Sequence, residues 1–227
     1  WFKLSAEQGD SDAQFHLGLL YSSGEGTPQD YKEALKWFKL SAEQGDSDAQ
    51  FHLGKLHYNG KGVPQDYKKA LKWYTLSAEQ GHSGAQLLLG LLYFSGEGIL
   101  QDYKEALKWL TLSGEKGNPD AQFYLSTLYI QGLGVTQNYK EAFKWAKLSS
   151  EQGYSNAQIL LGLMYSSGEG TSEDLVYAHM WSNIAGSNGS SDGMENRDNL
   201  ANRMTKKQIT KAQKLARECV AKNYKSC

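Results

Sequence analysis

Tryptophan occurs six times in this 227-residue chain, as Trp1, Trp37, Trp73, Trp109, Trp145 and Trp181, and each stands 36 residues from the next. A fixed period of that size marks a supersecondary unit that is copied and stacked, because one such unit cannot bury its apolar face alone. Other positions keep the same register. Ala13, Ala49, Ala85, Ala121 and Ala157 form one ladder, and Leu17, Leu53, Leu89, Leu125 and Leu161 a second. Tyr31, Tyr67, Tyr103 and Tyr139 form a third, which lapses to Leu175. Paired glycines recur from Gly24/Gly26 to Gly168/Gly170. The chain reads as an all-α solenoid over residues 1–189: a partial repeat at 1–9, then units at 10–45, 46–81, 82–117, 118–153 and 154–189.

Within a unit the spacing predicts two helices. Ala13, Leu17, Leu20 and Tyr21 share one stripe of a helix over about 10–23. Its start is clearest in the fourth copy, where Asn118 can cap and Pro119 takes the first helical position. Gly24 to Pro28 breaks that helix. Asp30 is a suitable cap for a second helix over about 30–44. There Tyr31, Ala34, Leu35, Phe38 and Ala42 make one stripe, and Trp37, Leu40 and Ser41 a neighbouring one. Two stripes mean packing from two sides, with the tryptophans as wedges between units.

After Gly189 the pattern changes. Ser190 to Met204 keeps a helical look without the repeat's core residues. Thr205 and Gln208 form a capping box that opens a last helix, with Ile209, Ala212, Ala216, Cys219 and Val220 on one stripe. Lys206, Lys207, Lys211, Lys214 and Arg217 occupy its other face. Residues 190–227 are expected to be capping helices that close the open end of the solenoid.

Lys plus Arg number 24 and Asp plus Glu 25, for a formal net charge of -1. That balance argues against a nucleic-acid partner, which calls for surplus positive charge. Apolar runs are only a few residues long, too short for a membrane span. Trp1 falls inside a second helix, so the chain is expected to be cut from something longer, with any targeting segment upstream. Cys219 and Cys227 suggest a disulfide and an exported protein; two free thiols in a cytoplasmic protein are the alternative.

The pattern Ala13-Gln14, Leu17-Gly18, Tyr21, Gly24, Gly26, Asp30-Tyr31, Ala34, Trp37 and Ala42-Glu43-Gln44-Gly45, repeated over residues 1–189, resembles the Sel-1-like repeat family. That resemblance implies a right-handed α/α superhelix, related to tetratricopeptide solenoids, which serves as an adaptor for protein complexes without catalytic activity or cofactor. One exported bacterial branch of the family is cysteine-rich and linked to penicillin-like compounds. Its cysteines are paired across seven intervening residues, as Cys219 and Cys227 are here, which implies a disulfide across the end of the last helix.

Candidate chemistry is sparse. Ser113 and Lys116 match the Ser-x-x-Lys of penicillin-recognising enzymes, so a β-lactam or cell-wall function is the alternative to a scaffold. Earlier copies read Ser-Ala-Glu-Gln there, and no Ser-Asp-Asn or Lys-Thr-Gly accompanies it. His16 and His52 share one slot, but Leu88, Tyr124 and Leu160 fill it later, so packing rather than a metal site is expected. Lys32, Lys68, Lys104 and Lys140, with Lys36, Lys72, Lys108 and Lys144, form two basic rows. Glu33, Glu105 and Glu141 interleave them, as on a solvated outer face.

The binding surface is expected opposite the core stripe of the first helices, on residues that vary between copies while the ladders stay constant. These are Phe15 and Leu19; Phe51, Lys55 and Tyr58; Leu87, Leu91 and Phe94; Phe123, Thr127 and Ile130; Ile159 and Leu163. In helical-hairpin solenoids the first helices line the concave side, so this set is expected to floor a groove of roughly 50 Å. A protein or peptide ligand held on Tyr58, Leu91, Phe94 and Phe123 is the expected partner, taken up by a monomer.

Overall fold

The computed structural model describes residues 2–227, Phe2 by its backbone alone; Trp1 lies outside the described residues. Among them it shows thirteen helices and no strand. They are α1 (Phe2–Glu7), α2 (Ser11–Ser23), α3 (Tyr31–Glu43), α4 (Ser47–Asn59), α5 (Tyr67–Glu79), α6 (Ser83–Ser95), α7 (Tyr103–Glu115), α8 (Pro119–Gln131), α9 (Tyr139–Ser150), α10 (Ser155–Ser167), α11 (Leu175–Ser187), α12 (Ser191–Ala201) and α13 (Lys206–Ala221). The helices recur as pairs, as the 36-residue period requires. None is long and apolar enough to cross a membrane. The chain forms two compact units, Trp1–Leu112 and Ser113–Cys227.

Capping sets the helix starts. Asp10 and Asp46 accept the Ala13 and Ala49 amides at 2.7 and 2.6 Å, and Asn118 accepts the Ala121 amide at 3.0 Å. Asp30 accepts the Lys32 and Glu33 amides, satisfying two donors that the helix itself cannot. The first helix of each pair stops at a left-handed glycine such as Gly24, φ 81°. In the second copy Gly62 lies so close to the Tyr31 backbone that no side chain fits there.

In the first unit each helix packs on the next, α1 on α2 through α5 on α6. In the second, α8 to α11 do the same, and α11 carries both α12 and α13. The alanine and leucine ladders are buried in both units. A glycine in the first helix receives a large residue from the second: a Cβ at Gly54 would stand 2.6 Å from the Tyr74 ring, and one at Gly90 2.7 Å from Leu110. The fourth copy has Ser126 in the glycine slot, and there the opposing position holds the small Ala146. The slot stays small while the residue facing it ranges from Tyr74 to Ala146, and in the fifth copy Gly162 faces Ser182, so each pair is filled differently.

Buried polar side chains tie the helices further. Gln50 donates to the Ala42 carbonyl at the end of α3 (3.2 Å) and accepts from Gln80 (2.8 Å), which caps the end of α5. Gln14 does the same with Ala6 and Gln44, and in the second unit Gln122 does so with Gly114 and Gln152. The tryptophans wedge as expected against alanine and leucine ladder residues: Trp37 against Ala6, Ala13 and Leu17, and Trp181 beside Leu161. Trp37 and Trp109 donate through Nε1 to Glu33 and Glu105 at 3.2 and 3.0 Å, with Lys36 and Lys108 over their rings at 5.0 and 4.8 Å. Both basic rows are solvated, and the row of Lys36, Lys72, Lys108 and Lys144 also roofs the tryptophans. Trp73, whose equivalent acid is Lys69, is only half-buried.

Two expectations need correction. Leu40 was placed in a second apolar stripe, but it is 38% exposed, and Leu112 and Leu148 are exposed with it. The buried residues of α3 are Ala34, Trp37, Phe38, Ser41 and Ala42, so its core-facing sector stops short of Leu40. Val220 is also exposed, whereas Ala212, Ala216 and Cys219 are buried. The capping box of Thr205 and Gln208 is present. The cap keeps more of the repeat than its composition suggests: Ser190 accepts the Gly193 amide at 3.1 Å, in the register of Asp10 and Ala13, and Gly193 is buried where the ladder has alanine.

Cys219 and Cys227 form a disulfide. It closes a tail in which Asn223, Tyr224 and Ser226 have φ of 50°, 64° and 57°, a left-handed conformation that costs energy in residues with side chains. Tyr224 lies against Gly153, and its hydroxyl donates to Asn188 Oδ1 at 3.3 Å.

Two measurements follow from this packing. The Tyr74 hydroxyl is buried without a hydrogen-bond partner, and the equivalent residue of the preceding copy is Phe38. Tyr74→Phe is expected to stabilise the protein by about 1 kcal/mol, because an unsatisfied buried hydroxyl is removed. A urea midpoint that falls contradicts this. Reducing the disulfide is expected to raise amide exchange over residues 222–227 while the ladder helices stay protected. Global loss of protection on reduction contradicts a bridge that acts only on the tail.

Candidate functional site

Every residue expected on the variable face of the first helices is reachable by solvent: Lys55 and Leu163 are exposed and the other eleven are half-buried. In the first unit the aromatic members also pack between neighbouring pairs. Phe15 lies 6.0 Å from Phe38 and 5.7 Å from His52, ring to ring. Phe51 stacks on His82 at 4.5 Å and carries Lys55 Nζ over its ring at 5.4 Å. One edge of each ring thus fixes neighbouring helices while the other stays open.

Tyr58 has a firmer anchorage. Its hydroxyl donates to Glu97 Oε2 at 2.7 Å, while Tyr67 donates to Oε1 of the same carboxylate at 2.6 Å. Those two hydrogen bonds hold the Glu97 carboxyl below its ordinary range. The Glu97 hydrogen bond, then burial, pushes the Tyr58 hydroxyl up to about 12. Glu97 sits between Gly96 and Gly98, so the glycine loop of the third copy is pinned onto the second. Sequence reasoning missed Glu97, since the same loop position holds Glu25, Lys61, Leu133 and Glu169 elsewhere.

The histidines have structural roles, with His16 on the surface against the Asp12 carbonyl. His52 stacks on Phe38 at 5.0 Å; burial first, then the nearby Lys55 charge, lowers it to about 4. His82 caps α6, its Nδ1 accepting the Ala85 amide at 3.0 Å and its Nε2 donating to Asp48 at 3.1 Å. Among the described residues no group of three His, Cys, Asp or Glu side chains is placed to hold a metal. Ser113 is fully buried, in register with Ser41, Ser77 and Ser149, which bond to Ser11, Ser47 and Pro119. A serine sealed in that rung cannot reach a β-lactam carbonyl.

In the second unit the expected residues converge. Phe123, Thr127, Ile130, Ile159 and Leu163 line one cavity of about 320 Å³, with Gln131, Asn156, Leu160 and Asp192 completing its wall. The last four were not expected: Gln131, Asn156 and Leu160 flank the variable positions on α8 and α10, and Asp192 belongs to α12, outside the repeated pattern.

The repeat geometry accords with the family comparison: the Sel1 repeat matches at residues 1–10, 11–46, 47–82, 83–118, 119–154 and 155–190. The chain belongs to the Sel1 repeat family. Among solved structures, this Sel1 array is similar to c5321, a protective antigen of uropathogenic Escherichia coli strains displaying an SLR fold. The TM-score is 0.90 and the identity 37%, over 98% of this chain and 49% of that one. It is also similar to a Sel1 repeat protein from Oxalobacter formigenes, with a TM-score of 0.80 and 31% identity over 91% of this chain and 83% of the other. The chain thus spans about half the length of the E. coli protein. Among curated proteins none matches. Sel1 repeats generally mediate protein–protein interaction and are generally non-catalytic.

The lowered His52 makes a signed prediction. The unfolded chain takes up this proton near pH 6.5, the folded Sel1 array only near 4, so the stabilisation is present above 6.5 and is lost as pH falls towards 4. His52→Leu, which copies Leu88, is expected to flatten the decline of the urea midpoint between pH 7 and pH 4.5. Equal slopes in the two proteins would show that His52 is solvated in the fold.

Proposed function

We propose that this Sel1 array is a non-enzymatic scaffold that holds a protein or peptide along the variable face of its first helices. One observation carries the reading: the thirteen residues named on that face remain accessible and change from copy to copy, while the ladders behind them are buried and constant. Stacking alone accounts for the ladders. It does not account for Phe94 left half-open at a slot that holds Ser22 and Ser166 elsewhere, or for Leu91 and Leu163 at a slot that holds Lys55, and open apolar surface of this kind marks interaction sites.

Export is part of the same proposal. The Cys219–Cys227 disulfide persists in an oxidising compartment, and the similar E. coli protein is described as a protective antigen.

The test is affinity capture with the wild-type protein and with the double variant Tyr58→Ala/Phe94→Ala, followed by calorimetry with the partner identified. The double variant is expected to lose at least about tenfold in affinity, on the scale of removing two aromatic anchors. A partner bound equally well by both proteins would place its site elsewhere.

A further inference from the structure

The second position of the first helix is acidic in three repeat units, as Asp12, Asp48 and Asp120, and again in the cap as Asp192. Where its bonding is seen, this carboxylate binds the residue that opens the following unit. Asp48 accepts from His82 at 3.1 Å, and Asp120 is hydrogen-bonded to Tyr154. Asp192 lies in the cap, where that partner position is not a repeat opening. The residue 34 places on is Ser226, in the tail that the disulfide turns back. The hydrogen bond made by Asp192 comes from its neighbour Ser191, at 3.2 Å. Among the described residues it forms no ion pair, and it is exposed.

That carboxylate stands at the rim of the 320 Å³ cavity, where it is the one ionisable side chain. The walls are apolar, from Phe123, Ile130, Ile159 and Leu163, and Leu163 is 45% exposed. A volume at the low end of the range for ligand sites suits a single large apolar side chain. A carboxylate at its edge selects a cation beside that side chain and repels an anion.

Building on the scaffold reading, we propose that the cavity is the anchor point of the partner. It takes a phenylalanine or leucine side chain from a peptide segment, with an adjacent lysine or arginine paired to Asp192. The apolar side chain supplies the affinity. The ion pair, being exposed, supplies selection of only about threefold to fivefold.

The test uses methyl-labelled wild-type protein and the peptide acetyl-Gly-Gly-Phe-Lys-Gly-Gly-amide, with its Phe→Ala and Lys→Glu counterparts, followed by NMR at millimolar concentration. The expected result is saturable shifts of the Ile130, Ile159 and Leu163 methyls with the parent peptide, lost with Phe→Ala. The Lys→Glu peptide should bind about threefold to fivefold more weakly to wild type, and the two peptides should bind alike to Asp192→Asn. Unchanged methyl positions away from the cavity show that this variant is folded. No saturable shift at those three methyls overturns the proposal, as does equal binding of the Lys and Glu peptides to wild type. Shifts confined to Leu87 and Leu91 also reject the cavity, yet leave the scaffold reading standing. That reading fails separately, if Tyr58→Ala/Phe94→Ala leaves capture unchanged.

Discussion

The buried glutamine of the first helix is the joint on which the repeats depend. The last turn of a helix presents carbonyls to whatever packs on it, and at each of these helix ends one of them accepts the amide of the following glycine and keeps a second lone pair for a neighbour. Gln14, Gln50, Gln86, Gln122 and Gln158 each donate to such a carbonyl, from Ala6 O to Ser150 O. Their own oxygens accept from the end of the partner helix where Gln44, Gln80, Gln152 or Asn188 stands. One side chain thereby bonds a preceding helix and a following one, and fixes their relative height. Apolar ladders alone tolerate sliding; a buried amide does not, because a slip would strand donors and acceptors away from water.

Most of this architecture is legible in the order of residues. The 36-residue period, the cap residues Asp30 and Asn118, and the glycine stops give helices whose ends agree with the structure to within a residue or two. The pairing of Cys219 with Cys227 was one of two open readings. Other features needed three dimensions. Leu40 looks like a core residue by its spacing, and only the folded chain shows that the buried sector of α3 ends before it. Glu97 lies in a loop that varies freely, so its two tyrosine partners become apparent only when that loop is seen folded onto the preceding pair.

The candidate site was legible in part, for a physical reason. Helical periodicity says which side of a helix faces away from the core, and all thirteen positions on that side prove accessible. It does not say how much of each ring a neighbouring pair covers. Phe51 and Phe123 therefore serve as both packing and surface. Nor does it bring in α12, whose Asp192 closes the cavity from a segment with a different pattern.

The residue that faces the small slot changes from Tyr74 to Leu110 to Ala146, each time inside a single helix pair. The glutamine bonds that cross from one pair to the next use nearly the same chemistry each time. Diversity is therefore kept within modules and uniformity is kept at their seams. Whole modules can be gained, lost or reordered by recombination without any seam having to adapt, so the length of such an array can evolve faster than its packing.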